Sequence, residues 1–231
     1  MHVKGWVKSS LLDFPGRIAA SLFSGGCNFR CPNCHNAELV LHPDRLADLP
    51  EDEIWAFLEQ RRGLLDGVVL SGGEPTLQPD LLAFAARLQQ LGFLVKLDTN
   101  GYLPDVLNEA IEDRLVDYVA MDVKASLPKY AQAASTVVDT ARVARSIDIL
   151  LGSDIEYEFR TTVVPGILDE EDVVHIGEWI AGARAYYLQQ FVPRNTLDPA
   201  MLEQEPYPAH RIRAMAKLAE PYVQLVQVRG L

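Results

Sequence analysis

The sequence predicts an α/β fold, a partial (β/α)6 barrel with parallel strands, formed by one domain over residues 1–231. Short apolar runs rich in β-branched residues alternate with segments of helical apolar spacing, which is the pattern of βαβ units. Six such units are too few for an eight-stranded barrel. The 231 residues, 48% of them hydrophobic, supply enough apolar material for a buried core. An open doubly wound sheet is the alternative architecture.

Each predicted element rests on its own stretch of sequence. The predicted strands are apolar runs bounded by Gly, Asn, Asp or Pro: Ile18–Phe23, Val68–Leu70, Phe93–Leu97, Tyr118–Asp122, Ile155–Val164 and Ala185–Phe191. The predicted helices have apolar residues three or four positions apart: Glu51–Arg62, Asp80–Leu91, Pro104–Asp113, Val137–Leu151, Glu170–Ala181 and His210–Glu220. Both candidate architectures bind ligands at the carboxyl ends of the strands, so the residues that follow each strand are the first candidates for a site.

The charge of the chain limits its possible partners. Asp and Glu outnumber Lys and Arg by 32 to 21, giving a net charge of −11. Duplex DNA and anionic membranes attract clustered basic residues, so we expect neither as a partner. No apolar run approaches the roughly 20 residues of a membrane span, and the N-terminal segment lacks the apolar core of a signal peptide. We therefore expect a cytoplasmic protein.

The three cysteines of the chain lie in one short loop after the first predicted strand. Cys27, Cys31 and Cys34 form the pattern CxxxCxxC, within the loop 24–36. An odd number of closely spaced cysteines is a poor disulfide framework and indicates metal binding or redox chemistry. A zinc site would need a fourth ligand such as His35, whose position beside Cys34 is awkward for tetrahedral closure. An iron–sulfur cube held by three thiolates keeps one iron open for another ligand, which is a catalytic arrangement.

The cysteine loop and its flanks resemble a known family. The stretch LLDFPGRIAASLFSGGCNFRCPNCHN resembles the radical S-adenosylmethionine (radical SAM) superfamily, and within it the activating proteins of anaerobic ribonucleoside-triphosphate reductase, which act on glycyl radical enzymes. The resemblance continues to about Pro193. It implies a [4Fe-4S] cluster on the three cysteines and S-adenosylmethionine as cofactor. Where the family has an aromatic residue that helps bind adenine, this chain has Asn33, so His35 or Asn36 is expected to contribute to that contact; a hydrogen-bonded loop histidine is the alternative for His35.

Two more segments resemble cofactor-binding motifs of the superfamily. Gly72, Gly73 and Glu74 follow the second predicted strand, and the resemblance assigns such a segment to the amino group of the cofactor. Without the resemblance, the same segment reads as a tight turn. Arg160 lies in the segment RTTVVPG with Thr162, and similar segments reach the cofactor carboxylate. An internal ion pair of Arg160 with Glu156 or Glu158 is the alternative.

Two carboxylates end neighbouring predicted strands. Asp98 closes the third strand, and Asp122 closes the fourth, two residues before Lys124. Adjacent carboxylates repel unless a cation or proton separates them. The resemblance implies a monovalent cation, Na⁺ or K⁺, beside the cofactor, with Asp98, Asp122 and main-chain oxygens of Thr99 and Ala120 as ligands. The alternatives are helix capping by Asp98 or Asn100 and a surface ion pair between Asp122 and Lys124.

The resemblance implies a complete activity. The expected reaction is reductive cleavage of S-adenosylmethionine, with removal of hydrogen from a glycine of anaerobic ribonucleoside-triphosphate reductase and a flavodoxin or ferredoxin as electron donor. The segment LQQF, with Gln189, Gln190 and Phe191, also resembles this group. Three alternatives stay open. The chain could activate a pyruvate formate-lyase type enzyme, it could act on a small molecule such as a deazapurine precursor, or it could be a zinc-stabilised binding protein.

Overall fold

The computed structural model describes residues 1–231, and the chain forms two compact units. Unit 1 comprises Met1–Asn28, Glu38–Thr99 and Asp105–Val119, and unit 2 comprises Phe29–Ala37, Asn100–Pro104 and Ala120–Leu231. None of the helices combines the length and apolarity that crossing a membrane requires.

Unit 1 is built on four strands. They are β1 (Val3–Ser10), β2 (Ala19–Ser24), β3 (Gly67–Gly72) and β4 (Leu94–Thr99). Strand β2 pairs with β1 in antiparallel and with β3 in parallel orientation, and β3 pairs with β4 in parallel orientation. The first four residues of β2 and of β3 are all buried, as expected for parallel strands covered on both faces.

Four helices lie in unit 1, two of them except for their first residue. They are α1 (Ala37–Leu41), α2 (Glu51–Gln60), α3 (Leu81–Gln90) and α4 (Pro104–Glu112). Helix α2 has three acidic residues in its first turn, where the helix dipole favours negative charge. Trp55 of α2 packs against Phe84 of α3 with ring centroids 4.5 Å apart, so these two helices share apolar contacts.

Unit 2 contains three parallel strands. They are β6 (Glu156–Val163), β7 (Tyr186–Gln190) and β8 (Val226–Arg229), paired in that order. Strand β5 (Tyr118–Asp122) has its last three residues in this unit. Its helices are α5 (Tyr130–Ala134), α6 (Thr140–Leu151), α7 (Glu170–Trp179) and α8 (Ala209–Ala219). Asp169 and Asp172 form a capping box at the start of α7, which fixes that boundary.

The six predicted strands and six predicted helices all exist, with boundaries shifted by at most three residues. Helix α6 begins at Thr140 rather than Val137 because the Asp139 side chain accepts a hydrogen bond from the N–H of Ala141 and caps the helix. The prediction missed β1, β8 and the short helices α1 and α5. Within each unit, hydrogen-bonded strands follow one another in chain order. This is the order of a barrel and lacks the reversal of a doubly wound sheet.

Candidate cofactor site

The first part of the cysteine loop is held by the segment that follows β3. The N–H of Gly73 donates to the carbonyl of Ser24 at 2.9 Å, and the N–H of Glu74 donates to the carbonyl of Gly26 at 2.8 Å. The Gln78 side-chain amide donates to the carbonyl of Gly25 at 3.0 Å. These hydrogen bonds therefore fix the backbone of residues 24–26, which precede Cys27, independently of any ligand.

The two glycines of this segment are required by the same close approach. A Cβ on Gly72 would lie 2.3 Å from the nitrogen of Ser24, and one on Gly73 would lie 1.9 Å from the oxygen of Gly26. Gly72 also has a φ of +122°, a backbone conformation that residues other than glycine rarely adopt. These glycines were predicted to allow a ligand to approach, and the close approach of the neighbouring backbone already requires them.

Glu74 is buried, with 1% of its surface exposed. Its Oε1 accepts hydrogen bonds from the Thr99 hydroxyl at 2.7 Å and from the Thr76 hydroxyl at 2.5 Å. The Thr76 N–H donates to the same oxygen at 3.1 Å. The carboxylate thus joins the turn after β3 to the end of β4, and Thr99, predicted to offer only its main-chain oxygen, contributes its hydroxyl.

Asp98 has a cationic partner that sequence reasoning missed. The Lys96 ammonium lies 2.5 Å from Oδ1 of Asp98, and the Ser71 hydroxyl donates to Oδ2 at 3.2 Å. Lys96 is 2% exposed and Asp98 is 17% exposed. The alternation of side chains along a strand, which puts residues i and i+2 on one face, was the available signal for this pair.

The second part of the cysteine loop lies in unit 2. The N–H of Cys34 donates to the carbonyl of Cys31 at 3.0 Å, closing a tight turn. The N–H of Leu197 donates to the carbonyl of Cys34, and the N–H of Asp198 donates to the carbonyl of Pro32, both at 2.9 Å. The segment after β7 therefore anchors this turn, a role that the sequence did not indicate. None of the three cysteines forms a disulfide.

Burial dominates the chemistry of the middle cysteine. Cys31 is 9% exposed, and its burial raises the pKa of the thiol although the Lys124 ammonium opposes that shift. Phe29 and Tyr130 pack edge to face with centroids 6.3 Å apart, and the N–H of Arg30 donates to the carbonyl of Ala134. These contacts tie the residues before Cys31 to α5.

The residues predicted to contact adenine lie in unit 2. His35 is exposed, and its Nε2 lies 2.9 Å from the carbonyl oxygen of Val192, so its ring is hydrogen-bonded as the alternative reading expected. Asn33 and Asn36 are partly buried. Contact of His35 or Asn36 with adenine stays a prediction.

Asp122, Lys124 and Arg160 form an ion cluster. Nε of Arg160 lies 2.7 Å from Oδ1 of Asp122, and Nζ of Lys124 lies 2.9 Å from Oδ2. Arg160 thus pairs with Asp122. The two partners considered for it from the sequence pair with other arginines, Glu156 with Arg184 and Glu158 with Arg229. The Asp122–Lys124 pair is half-buried, so it is not the surface pair considered as an alternative.

The electrostatics of this cluster keep all its members charged. Burial disfavours the charged form of Asp122, but the Arg160 guanidinium and the Lys124 ammonium outweigh it and hold the pKa of the carboxyl well below its ordinary range. Burial likewise opposes the charge on Lys124, yet Asp122 raises the pKa of that ammonium above its ordinary value. The cluster is therefore a fixed array of one negative and two positive charges at neutral pH.

A cleft in unit 2 opens onto this cluster. Its wall includes Asn33, Lys124, Arg160 and Thr162, four of the polar residues near the predicted cofactor segments. Ala120, whose main-chain oxygen was predicted as a cation ligand, is fully buried on β5. Asp122, which pairs with both cations, also lines the cleft, so a ligand would meet two cations, one carboxylate and an amide. The excess of one positive charge suits an anionic group such as a carboxylate.

Comparison with known proteins assigns the chain to a family. The sequence model of the radical SAM superfamily matches residues 21–180. A protein of Methanocaldococcus jannaschii, named as a glycyl-radical enzyme activating enzyme, is 35% identical over 99% of this chain and 96% of its own length. The chain belongs to the glycyl-radical enzyme activating family of the radical SAM superfamily. The pyruvate formate-lyase-activating enzyme of Streptococcus mutans is 28% identical over 80% of this chain and 74% of its own length.

A solved structure confirms the fold class of this radical SAM protein. A domain of the pyruvate-formate lyase-activating enzyme of Bacteroides vulgatus superposes with a TM-score of 0.59 and 17% identity, over 71% of this chain and 99% of that one. The predicted α/β fold with parallel strands, of the partial-barrel type, is therefore correct. Radical SAM proteins use a [4Fe-4S] cluster and S-adenosylmethionine, as expected from the sequence. The donor set fits them, because three thiols without disulfides lie in a loop whose backbone is fixed at both ends.

Proposed function

We propose that this radical SAM protein activates an anaerobic ribonucleoside-triphosphate reductase by removing hydrogen from one backbone glycine of that enzyme. The observation that carries the proposal is the three-cysteine loop, which supplies three thiolates and no fourth. The segments LLDFPG and LQQF favour the reductase over other glycyl radical enzymes. We also propose that residues 1–231 act as one radical SAM domain with its cluster loop at 24–36, that the protein is cytoplasmic, and that a flavodoxin or ferredoxin supplies the electron.

We propose which residues hold the cofactors. We assign Cys27, Cys31 and Cys34 to the cluster. The main-chain carbonyl groups around Gly72 and Gly73 are assigned as acceptors for the amino group of S-adenosylmethionine. When bound, the reduced cluster and S-adenosylmethionine supply a 5′-deoxyadenosyl radical, which is strong enough to take hydrogen from carbon.

The residues of the chain hold and orient these groups. Arg160 and Lys124 offer positive charge to the cofactor carboxylate, and Asp122 keeps both cations in place through its two short ion pairs. Thr162 lines the same cleft. The buried Glu74 acts by holding the turn that carries Gly73 rather than through direct exposure to a ligand. Fixed positions of this kind lower the barrier by orienting the reactants.

An electron paramagnetic resonance experiment tests the proposed target. The anaerobic, reduced protein is mixed with S-adenosylmethionine and, in separate samples, with anaerobic ribonucleoside-triphosphate reductase or pyruvate formate-lyase. We expect a persistent doublet only with the reductase, with about one 5′-deoxyadenosine formed per radical. Replacing the radical glycine of the reductase by alanine should remove the signal.

Two other outcomes would redirect the assignment. A doublet with pyruvate formate-lyase alone would assign the chain to that type of activase, to which the Streptococcus mutans relative belongs by name. Many turnovers of a free small molecule, such as a deazapurine precursor, without a protein partner would contradict the activase proposal.

A further inference from the structure

Unit 1 contains a buried lysine that the proposed cofactor contacts leave without a role. Lys96 lies on β4 two residues before Asp98, so the two side chains share one face of the strand. It is 2% exposed, and its Nζ lies 2.5 Å from Oδ1 of Asp98. Lysine is almost never buried to this degree unless it is paired with an anion. The burial and the short distance make this ammonium a fixed positive charge on Asp98.

The second carboxylate oxygen of Asp98 also has a protein donor, and the neighbouring Thr99 side chain is held by another carboxylate. Oδ2 of Asp98 accepts from the Ser71 hydroxyl at 3.2 Å. Thr99 donates its hydroxyl to the buried Glu74 at 2.7 Å. Protein groups thus supply both the positive charge and the hydrogen bonds at the end of β4.

We infer that the ammonium of Lys96 takes the place of a bound monovalent cation beside Asp98, so that S-adenosylmethionine binding does not depend on Na⁺ or K⁺. The inference rests on the proposed function, because it concerns the same cofactor site. An ammonium group carries the single positive charge of these ions, and its tether to β4 removes the need to capture an ion from solution. Lys96 is therefore a positioning residue that acts through Asp98.

A competing role for Lys96 makes different predictions. If the lysine only offsets the charge of Asp98 during folding, the cofactor site would still take up a cation. The affinity for S-adenosylmethionine would then depend on the salt used. The dependence on cation identity separates the two roles, whereas a simple loss of activity would not.

The first measurement uses the wild-type protein with its reconstituted cluster. The Kd of S-adenosylmethionine is measured anaerobically by equilibrium dialysis in choline chloride, NaCl and KCl at equal ionic strength. We expect the three values to agree within about twofold, since the resident ammonium already supplies the charge. Binding about tenfold tighter in NaCl or KCl than in choline chloride would overturn the inference.

A variant pair extends the test. In Lys96→Met, binding should weaken about tenfold in choline chloride and recover in K⁺ or Na⁺, because a free ion can now occupy the vacated position. Lys4→Met is the matched control, since Lys4 is also a largely buried lysine of unit 1 with one carboxylate partner, Asp48 at 2.9 Å. Its Kd should be the same in all three salts. A loss in Lys96→Met that neither cation restores would assign the lysine to folding alone and overturn the inference.

One further readout does not require a folded variant. Thallium-205 resonance of wild-type protein with S-adenosylmethionine should show only free Tl⁺, a mimic of K⁺, and a site-bound signal would contradict the inference. Absence of S-adenosylmethionine binding in all three salts would instead contradict the proposed function. Binding that requires Na⁺ or K⁺ would contradict only the role of Lys96.

Discussion

Gly73 is the glycine of unit 1 with the least room for a side chain. The Cβ of any other residue would lie 1.9 Å from the carbonyl oxygen of Gly26, and that oxygen accepts the hydrogen bond of the Glu74 N–H. The obstacle is backbone, so it cannot move aside as a flexible side chain could. The backbone of Gly26, directly before Cys27, would have to shift instead.

Gly73→Ala should therefore lower the free energy of unfolding by about 3 kcal/mol and reduce iron incorporation at the cysteine loop. Urea denaturation of the metal-free protein and iron analysis after reconstitution measure the two effects. Gly5→Ala on β1 is the control, since no atom lies within 4 Å of a Cβ there and its stability should be unchanged or slightly raised. Equal stability of the two variants would contradict the packing argument.

Asp122 is the negative centre of the ion cluster in unit 2. Its folded-state pKa lies below the value of about 3.9 for an unfolded chain, so its contribution to stability is present above that pH and is lost on further acidification. Asp122→Asn should lower the unfolding free energy by about 3 kcal/mol at pH 7, because it removes the carboxylate that Arg160 and Lys124 both contact.

Urea titrations at pH 7, 5 and 3 test the sign of this effect. The difference between wild type and Asp122→Asn should be equal at pH 7 and pH 5 and smaller at pH 3. A difference that grows on acidification would show that the carboxyl is not stabilised in its charged form.

Arg160 is the residue whose replacement separates cofactor binding from folding. Arg160→Lys keeps the positive charge but loses the planar fork that can bind a carboxylate at two points. The Kd of S-adenosylmethionine should rise more than about tenfold, while the protein stays folded. Arg184→Lys, which changes the arginine paired with the exposed Glu156, serves as control and should bind normally. Unchanged affinity in a folded Arg160→Lys would end this assignment.

At the scale of elements, an ion pair joins the last strand to β6 across β7. Arg229 of β8 contacts both oxygens of Glu158 at 2.7 and 2.8 Å, and its guanidinium lies 3.4 Å from the ring centroid of Tyr187 on β7. Glu158 is fully buried, and the Arg229 guanidinium contacts both of its carboxylate oxygens. The four-residue strand β8 is thus secured by a side chain as well as by its backbone.

Arg229→Met should lower the free energy of unfolding by about 3 kcal/mol, because it leaves the buried Glu158 carboxylate without its guanidinium. Arg184→Met is the matched control, since its partner Glu156 is 71% exposed and the expected change is below about 1 kcal/mol. Denaturation curves of the two variants give the comparison. Similar small losses in both would mean that the buried pair contributes no more than a surface pair.

The helices could be predicted from their apolar spacing, and the strands easiest to predict were those buried on both faces. Strands β2 and β3 are continuous apolar runs, whereas β1 carries Lys4, Gly5 and Lys8 and has no such run. The partners of charged residues were harder to predict than the residues themselves. The link of Arg160 to Asp122 depends on which strands and side chains fold against each other, and spacing along the chain does not contain that information. The cysteines needed only their spacing, because their chemistry is local.

At the scale of the whole molecule, the family assignment covers nearly the entire chain. The Methanocaldococcus jannaschii relative aligns with 99% of it at 35% identity. Each unit carries predicted cofactor residues, Gly72, Gly73 and Asp98 in unit 1 and Asp122 and Arg160 in unit 2.

Metal analysis combined with electron paramagnetic resonance of the anaerobically reconstituted protein tests the central claim most directly. We predict about four irons per chain and, after reduction with dithionite, a [4Fe-4S] signal that changes when S-adenosylmethionine is added. Cys27→Ala, Cys31→Ala and Cys34→Ala should each abolish cleavage of S-adenosylmethionine. One zinc per chain without iron, in colourless protein purified anaerobically, would contradict the account.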